Sequence, residues 1–263
     1  MHRYFPAPDC YFSIGSKPKL KLCRHTVTGT PDVLHGLNIL FASDFHITPR
    51  SHPQNIVDTM QSCKADLILL GGDYSDNSED ARRLFHCFSS LKAPLGIYAV
   101  RGNNDAESFP ENAQLAEALA QVGIRLLLDE RFMLDVKGAK LLLLGTDEYK
   151  HHSPDHRFLL NETDADYRLM VSHYPVFPVV PHKYTPHLIL SGHTHGGQFN
   201  FFGINPYALG FERLFKHRKL SPYAVSGIVS CNDTQMLVSK GIGCSRIPLR
   251  IGVQPEIHLL TLA

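Results

Sequence analysis

His193 and His195 stand one residue apart in the stretch Ser191-Gly192-His193-Thr194-His195-Gly196-Gly197-Gln198. Histidine is the commonest side-chain ligand of divalent transition metals. In a turning backbone the side chains of residues i and i+2 reach two points around one centre. The glycines let the main chain come close to a bound group, because no Cβ intervenes. A histidine pair arises readily by chance, so the reading depends on partners elsewhere in the chain. Asp44 with His46, Asp73, Asn103 and His173 each follow a short apolar run. Mixed nitrogen and oxygen donors without thiolate suit Mn, Fe or Zn in a reactive centre rather than a structural zinc. The donors suffice for two ions, with Asp44, His46 and His195 around one and Asn103, His173 and His193 around the other. Asp73 is then the natural bridge, since a carboxylate offers two oxygens to two cations. Two divalent metals ~3.5–4 Å apart are the arrangement used for phosphoryl-ester hydrolysis: a water ionises near neutral pH and charge building on the phosphate is neutralised.

Rigid elements must bring these residues together. The apolar runs at 37–42, 66–70, 96–100, 167–171 and 188–190 read as buried strands. Helical spacing at 53–64, 79–91 and 111–122 places helices between or after the first three. Further strands are expected at 19–27, 125–128, 131–136, 140–144, 227–230, 235–239 and 256–261, with a hairpin turn at Lys137-Gly138. In α/β sheets, ligand sites form where loops converge at the carboxyl ends of strands. One Asp after a strand is usually a turn former or a cap. Metal-competent side chains after five strands, all with the same polarity, point to one site.

Composition excludes other classes. The 263 residues carry a net charge of +1, with no basic excess to suggest nucleic-acid binding as the main function. Sixteen histidines are many for this length; His151, His152, His156, His182 and His217 read as surface residues. The six cysteines show no CxxC spacing and are expected to be reduced, packed thiols. No apolar stretch is long enough to span a bilayer and no signal-peptide pattern follows Met1, so a soluble, cytoplasmic protein is expected. No linker or repeat divides the chain, which reads as a single domain over 1–263, with 1–17 an arm or edge segment.

Asp44-Phe45-His46, Gly72-Asp73, Gly102-Asn103, His173 and Gly192-His193-Thr194-His195 resemble the five-motif signature of the calcineurin-like metallophosphoesterases. The stretches 192–198 and 239–248 are similar to a bacterial branch of membrane-linked phosphoesterases and UDP-2,3-diacylglucosamine pyrophosphatase-like enzymes. The resemblance implies an α/β fold, a four-layer αββα sandwich of two mixed sheets with helices outside, and the same ligand set. It implies a dinuclear centre, with Mn²⁺ the expected metal and Fe or Zn as alternatives. It further implies hydrolysis of a phosphodiester or pyrophosphate by a metal-bridging hydroxide, on a small-molecule or lipid-linked phosphate ester. Peripheral membrane contact is an associated expectation.

One position departs from the family. Gly102-Asn103-Asn104-Asp105 stands where the family reads Gly-Asn-His-Asp, whose His donates a hydrogen bond or proton to phosphate and leaving group. Asn104 can donate a hydrogen bond but cannot release a proton. Positioned general-acid help is typically worth about a hundred- to ten-thousand-fold, and it matters least when the leaving group has a low pKa. Asn104 therefore favours phosphodiesters or pyrophosphates over alkyl monoesters. It also leaves open an alternative, a metallophosphoesterase-fold scaffold with weak or no activity. Asp105 reads as a cap or a support for its neighbours. Arg101 is a candidate phosphate contact or a salt-bridge partner, and Arg246 an anion contact or a structural donor. Tyr74 and Asp76 read as loop-positioning residues, and Asp147, Glu148 and Tyr149 as a polar turn or a substrate-facing one. The aromatic run 199–202, with Phe211, Leu214, Phe215 and Lys216 to Lys219, suits packing beside the site or contact with lipid.

Overall fold

A computed structural model describes residues 20–151, 155–161, 164–201 and 225–263, and the backbone of 12–14. In it β1 (Phe12–Ile14) pairs antiparallel with β13 (Leu249–Ile251) as a separate ribbon. The first large sheet has the order β2 (Lys21–Val27), β14 (Glu256–Leu262), β3 (Asn38–Ala42), β4 (Leu67–Leu70), β5 (Ile97–Ala99), β6 (Arg125–Leu126). The second has the order β11 (Gly227–Cys231), β12 (Thr234–Val238), β10 (Leu188–Ser191), β9 (Tyr167–Ser172), β8 (Ala139–Gly145), β7 (Glu130–Val136). Both are mixed: β14 is antiparallel to β3 in the first, and β7 to β8 and β11 to β12 in the second.

Strand alternation sets the layers. Successive side chains of a strand face opposite ways, so the wholly apolar β4 serves two cores at once. Ile68 and Leu70, with Leu40, Ala42, Ile97 and Ala99, pack under the helices α1 (Pro53–Ser62), α2 (Ser78–Phe88) and α4 (Asn112–Ala120). Leu67 and Leu69, with Ile39, Phe41, Tyr98 and Val100, meet Leu141, Leu143, Leu169, Val171, Leu188 and Leu190 of the second sheet. The outer face of that sheet (Leu142, Leu144, Met170, Ile189, Met236, Val238) is covered by Leu159 and Phe158 of the 3-10 turn His156–Asn161. This is the expected sandwich of two mixed sheets with helices outside.

The elements match their expected positions to within a few residues. α2 starts at Ser78 because the Asn77 side chain accepts the Asp80 N–H at 2.8 Å. The β7–β8 hairpin turns on Lys137 and Gly138, both at positive φ (55° and 90°), the two-residue turn that fits strand twist. One helix was not expected, α3 (Asn103–Ser108), and it carries part of the site. The five cysteines among the described residues form no disulfide with one another. Phe199 bridges to Ile251 and Phe201 is exposed. The rest of the aromatic and basic reading, from Phe202 through Lys219, lies outside the described residues. Among those described, no helix is long and apolar enough to cross a membrane.

Candidate metal centre

The parallel strands β3, β4 and β5 deliver Asp44 and His46, Asp73, and Asn103 to one edge of the first sheet. The parallel pair β9 and β10 delivers His173, His193 and His195 to the facing edge of the second. The loops then interlock. The N–H of Asp44 donates to Gly72 O (2.9 Å), that of His46 to Asp73 O (3.0 Å), and that of Gly192 to His173 O (3.0 Å). The N–H of His193 crosses between the sheets to the Asp44 carboxylate, 2.9 Å from Oδ1 and 3.1 Å from Oδ2. Ligand atoms of Asp44, His46, Asp73 and His195 all fall within 4.8 Å of one another. Asp73 Oδ2 lies 3.3 Å from His46 Nε2 and 3.5 Å from His173 Nε2. His173 Nε2 is in turn 3.2 Å from His193 Nδ1. Asn103 lines the same cavity as Asp73, His193 and His195, and its Oδ1 accepts the Tyr174 hydroxyl at 3.2 Å.

Backbone strain is concentrated at these residues. Asp44, His46, Asp73, His193 and His195 have φ of 53°, 40°, 54°, 69° and 52°. A side chain in this left-handed region costs about 1–3 kcal/mol and persists only where the surroundings over-determine it, commonly at functional sites. Glycine makes the interlocking possible. A Cβ on Gly192 would sit 2.2 Å from Asp44 Oδ2, and one on Gly102 would sit 2.1 Å from Asp73 Oδ1. These glycines thus let one ligand loop nest on another. Gly196 faces Val253 and Lys240 rather than a ligand, and of the glycine pair after His195 only Gly197 lines the cavity.

The donor set fits metal ions. His46 presents Nδ1 to Asp76 Oδ1 at 3.0 Å, and its buried Nε2 has no hydrogen-bond partner. His173 presents Nδ1 to Gly71 O at 2.8 Å, leaving Nε2 toward Asp73. A carboxylate or carbonyl behind the ring is how ligating imidazoles are oriented. Burial alone would depress both histidines, but Asp73 and Asp76 hold His46 up at about 10, and Asp73 holds His173 up at about 9. Against its own burial, Asp73 is kept far below the usual carboxylate range by His173 and His46. Burial pushes Asp44 up, and the nearby charge of Asp73 adds to that. Two carboxylates buried this close require positive charge beside them. Protons on the imidazoles answer that demand, and divalent cations on the same nitrogen and oxygen atoms answer it with every ligand deprotonated, as metal binding needs. Burial, with His46 and Arg250 close by, keeps His195 well below the ordinary histidine value and therefore neutral.

A cavity of about 440 Å³ opens over these residues, walled by Asn104, Glu107, Lys150, Phe199, Arg246 and Ile247 among others. Asn104 is held from three sides: its N–H donates to Asp73 Oδ1 (2.9 Å), its Nδ2 to Asp76 Oδ1 (2.5 Å), and its Oδ1 accepts from Asn103 Nδ2 (2.5 Å). Asp105 is a cap and a tie between loops. Its carboxylate accepts the N–H groups of Gly102 (2.8 Å), Asp73 (2.7 Å) and Tyr74 (2.8 Å). Burial, then the charge of Asp73, pushes it up to about 7. Asp105→Asn leaves one accepting oxygen and turns an NH₂ toward backbone donors. It is expected to cost about 2–4 kcal/mol, from one or more buried N–H groups left unsatisfied. Urea denaturation reads this directly, and an unchanged midpoint would refute the tie.

Arg101 is placed differently from the substrate-contact reading. It is buried, its Nε and Nη2 bind Asp147 at 2.5 and 2.8 Å, its Nη1 binds Asn112, and it is not among the cavity-lining residues. That pair also accounts for Asp147. Glu148 caps the N–H groups of Lys150 and His151, and the Tyr149 hydroxyl meets His156 Nε2 at 2.6 Å. Tyr74 is buried, with its hydroxyl on Val100 O. Tyr174, whose ring centroid lies 3.9 Å from that of His193, is a site neighbour that the strand-end pattern does not reveal. Neither are Glu107 and Lys150, which pair with each other on the cavity wall.

A family model of the calcineurin-like phosphoesterase domain matches residues 37–197, the span from β3 through the His193–Gly197 loop. The chain belongs to this family. It is thus a metal-dependent phosphoric ester hydrolase, with divalent ions as its cofactors and a phosphate ester as its substrate. Phosphodiesterase YaeI of Escherichia coli (strain K12) is 28% identical over 254 residues, 92% of this chain and 88% of that protein. The uncharacterized protein YpbG of Bacillus subtilis (strain 168) is 28% identical over 229 residues, 86% of this chain and 81% of its own length. Among solved structures, phosphopantetheinyl hydrolase (PptH) from Mycobacterium tuberculosis aligns with a TM-score of 0.50 at 10% identity, covering 82% of this chain and 96% of that one, which shows the shared fold.

Proposed function

We propose that this phosphoesterase hydrolyses a phosphodiester or pyrophosphate bond at a two-metal centre. Asp44, His46 and His195 hold one ion, Asn103, His173 and His193 the other, and Asp73 lies between them. The observation that carries this reading is the position of Asp73 Oδ2, 3.3 Å from an imidazole of the first set and 3.5 Å from one of the second. When bound, two such ions supply a nucleophile at neutral pH and positive charge for the phosphate oxygens. The chain's own residues do the rest. Asp76 and the Gly71 carbonyl aim His46 and His173, Asn104 N–H fixes the second oxygen of Asp73, and the remaining Asn104 amide hydrogen is available to a phosphate oxygen. With no proton to give there, the chemistry is best suited to leaving groups that depart as stable anions. YaeI, similar along most of its length, is described as a phosphodiesterase.

Mn²⁺ is the metal we expect, since the donor set is oxygen and imidazole without thiolate. A lipid-linked substrate, met from the cytoplasmic side by peripheral contact, is the finer form of the reading; the exposed Phe201 and Ile247 support it. The test is hydrolysis of bis-p-nitrophenyl phosphate by Mn²⁺-loaded protein, with metal content measured on the same sample. Turnover together with two ions per chain is expected. A folded protein that binds metal yet is inactive with Mn²⁺, Fe²⁺ and Zn²⁺ would favour the scaffold reading, which Asn104 alone supports.

A further inference from the structure

The three side chains placed around the second ion share a neighbour that is not itself a ligand. Tyr174 is buried and touches Asn103, His173 and His193 together. Its hydroxyl donates to Asn103 Oδ1 at 3.2 Å, its ring centroid lies 3.9 Å from that of His193, and it meets the His173 ring edge-on at 5.3 Å. The residue is anchored at both strand ends that deliver those histidines. Its carbonyl accepts the hydroxyl of Ser172, the last residue of β9, at 2.8 Å and that of Ser191, the last residue of β10, at 3.4 Å. From there the side chain crosses to the first sheet, where Asn103 opens α3, 71 residues earlier in the chain. A directed run of hydrogen bonds starts at this hydroxyl. Asn103 Nδ2 donates to Asn104 Oδ1 at 2.5 Å, and Asn104 Nδ2 donates to Asp76 Oδ1 at 2.5 Å, the oxygen that also faces His46 Nδ1 at 3.0 Å. An ionised carboxylate only accepts, so Asp76 fixes which way both amides point. Tyr174 supplies the donor that the oxygen at the far end needs.

We propose that Tyr174 is the positioning residue of the second ion: its hydroxyl holds the oxygen end of Asn103 in place as a ligand, and its ring backs the imidazole of His193. This deepens the proposed function and rests on its assignment of two ions. The orientation of Asn103 matters because an amide binds a divalent cation through its oxygen, whereas its NH₂ group offers only donors. Charge explains why this set needs such support. The first set brings Asp44 and shares Asp73; the second brings two imidazoles and a neutral amide and has only its share of Asp73. With less charge to draw the cation in, its hold depends on ligands that already stand in place, since donors that must be ordered on binding subtract that cost from the affinity. Tyr174 is not among the cavity-lining residues, so it acts through these ligands and not on the substrate. Partners behind metal ligands are typically worth about ten- to a hundredfold in metal affinity.

The experiment titrates metal-free wild type and Tyr174→Phe with Mn²⁺, counts bound ions by electron paramagnetic resonance, and follows hydrolysis of bis-p-nitrophenyl phosphate over the same concentrations. The substitution removes one oxygen and keeps the ring, so the metal-free protein is expected to stay folded, which its melting temperature reads. Wild type should take up two ions. In Tyr174→Phe one ion should bind as in wild type and the other about ten- to a hundredfold more weakly. Hydrolysis should fall in step at low Mn²⁺ and return to about the wild-type rate once Mn²⁺ saturates both sites, a recovery that a residue merely supporting the fold would not give. Unchanged affinity for both ions overturns the inference. Equal weakening of both makes Tyr174 structural and overturns it too, as does activity that stays low with both sites filled. Two ions bound by wild type, one of them dependent on Tyr174, without hydrolysis would instead refute the proposed reaction and leave this inference standing. A wild type that binds a single ion overturns both.

Discussion

Asp73→Asn is expected to lower kcat/KM on bis-p-nitrophenyl phosphate by on the order of a thousandfold or more, while the protein stays folded. The size follows from what the side chain does. Its Oδ2 faces imidazoles from both sheets, at 3.3 and 3.5 Å, and its Oδ1 accepts the Asn104 N–H at 2.9 Å. The amide keeps the shape and one oxygen to accept the Asn104 N–H, and the main-chain bonds of residue 73, its N–H to the Asp105 carboxylate and its carbonyl from the His46 N–H, persist. It loses the negative charge that two cations would share, and one oriented charge removed from a water-poor site is typically worth a hundred- to thousandfold in rate, ~3–4 kcal/mol. Loss of one ion adds to that. The measurement is steady-state kinetics with metal analysis on one sample: metal content is expected to fall from two per chain. Retention of both ions and of more than a tenth of wild-type activity would exclude Asp73 as the bridge. Melting temperature without added metal is expected to fall, since the substitution removes the buried charge that pairs with His46 and His173.

The positions of the candidate ligands are legible in the sequence because a doubly buried strand shows itself as a continuous apolar run. β4 is Leu67–Leu70 and feeds two cores, so its end, and with it Asp73, is plain. α3 is not legible. Its six residues, Asn-Asn-Asp-Ala-Glu-Ser, have no apolar period, and its start is set by the Asp105 carboxylate accepting the Gly102 N–H. The left-handed backbone at Asp44, His46, Asp73, His193 and His195 is equally hidden, because it is imposed by hydrogen bonds between loops far apart in sequence. Arg101 shows the same limit. Beside Asn103 in the chain it reads as a phosphate contact or a salt-bridge partner alike, because its partner Asp147 lies 46 residues away and no local pattern reveals the pair. Gln198 is visible as a residue of the His193–His195 stretch, but its grip on Ser245 and Ile247 depends on chain closure over 47 and 49 residues. Residue type and strand polarity thus specify what converges. Which side chains remain free to meet a ligand is decided by long-range pairing.

Asn104→His is expected to raise activity on alkyl phosphate esters by about a hundred- to ten-thousand-fold relative to p-nitrophenyl esters, the usual worth of a positioned general acid. The site is prepared for an imidazole. Asn104 lies in the first turn of α3, and its Nδ2 reaches Asp76 Oδ1 at 2.5 Å, the same oxygen that faces His46 Nδ1 at 3.0 Å. A histidine here can set one nitrogen against Asp76 and turn the other into the cavity that Asn104 already lines. The gain is confined to poor leaving groups, because p-nitrophenolate departs without a proton and an alkoxide does not. The wild type should accordingly show a steep dependence of rate on leaving-group pKa, and the variant a shallow one. The pH profile has a definite sign. A histidine acting as acid must be protonated, so the variant's rate on alkyl esters should fall as pH rises through its pKa, ordinarily about 6.5 and raised by Asp76. Wild type lacks that limb, having only an amide at this position. A leaving-group series run at several pH values on both proteins decides the matter. Parallel slopes, or an alkaline limb present in wild type as well, would mean that another group supplies the proton and that Asn104 does not restrict the substrate.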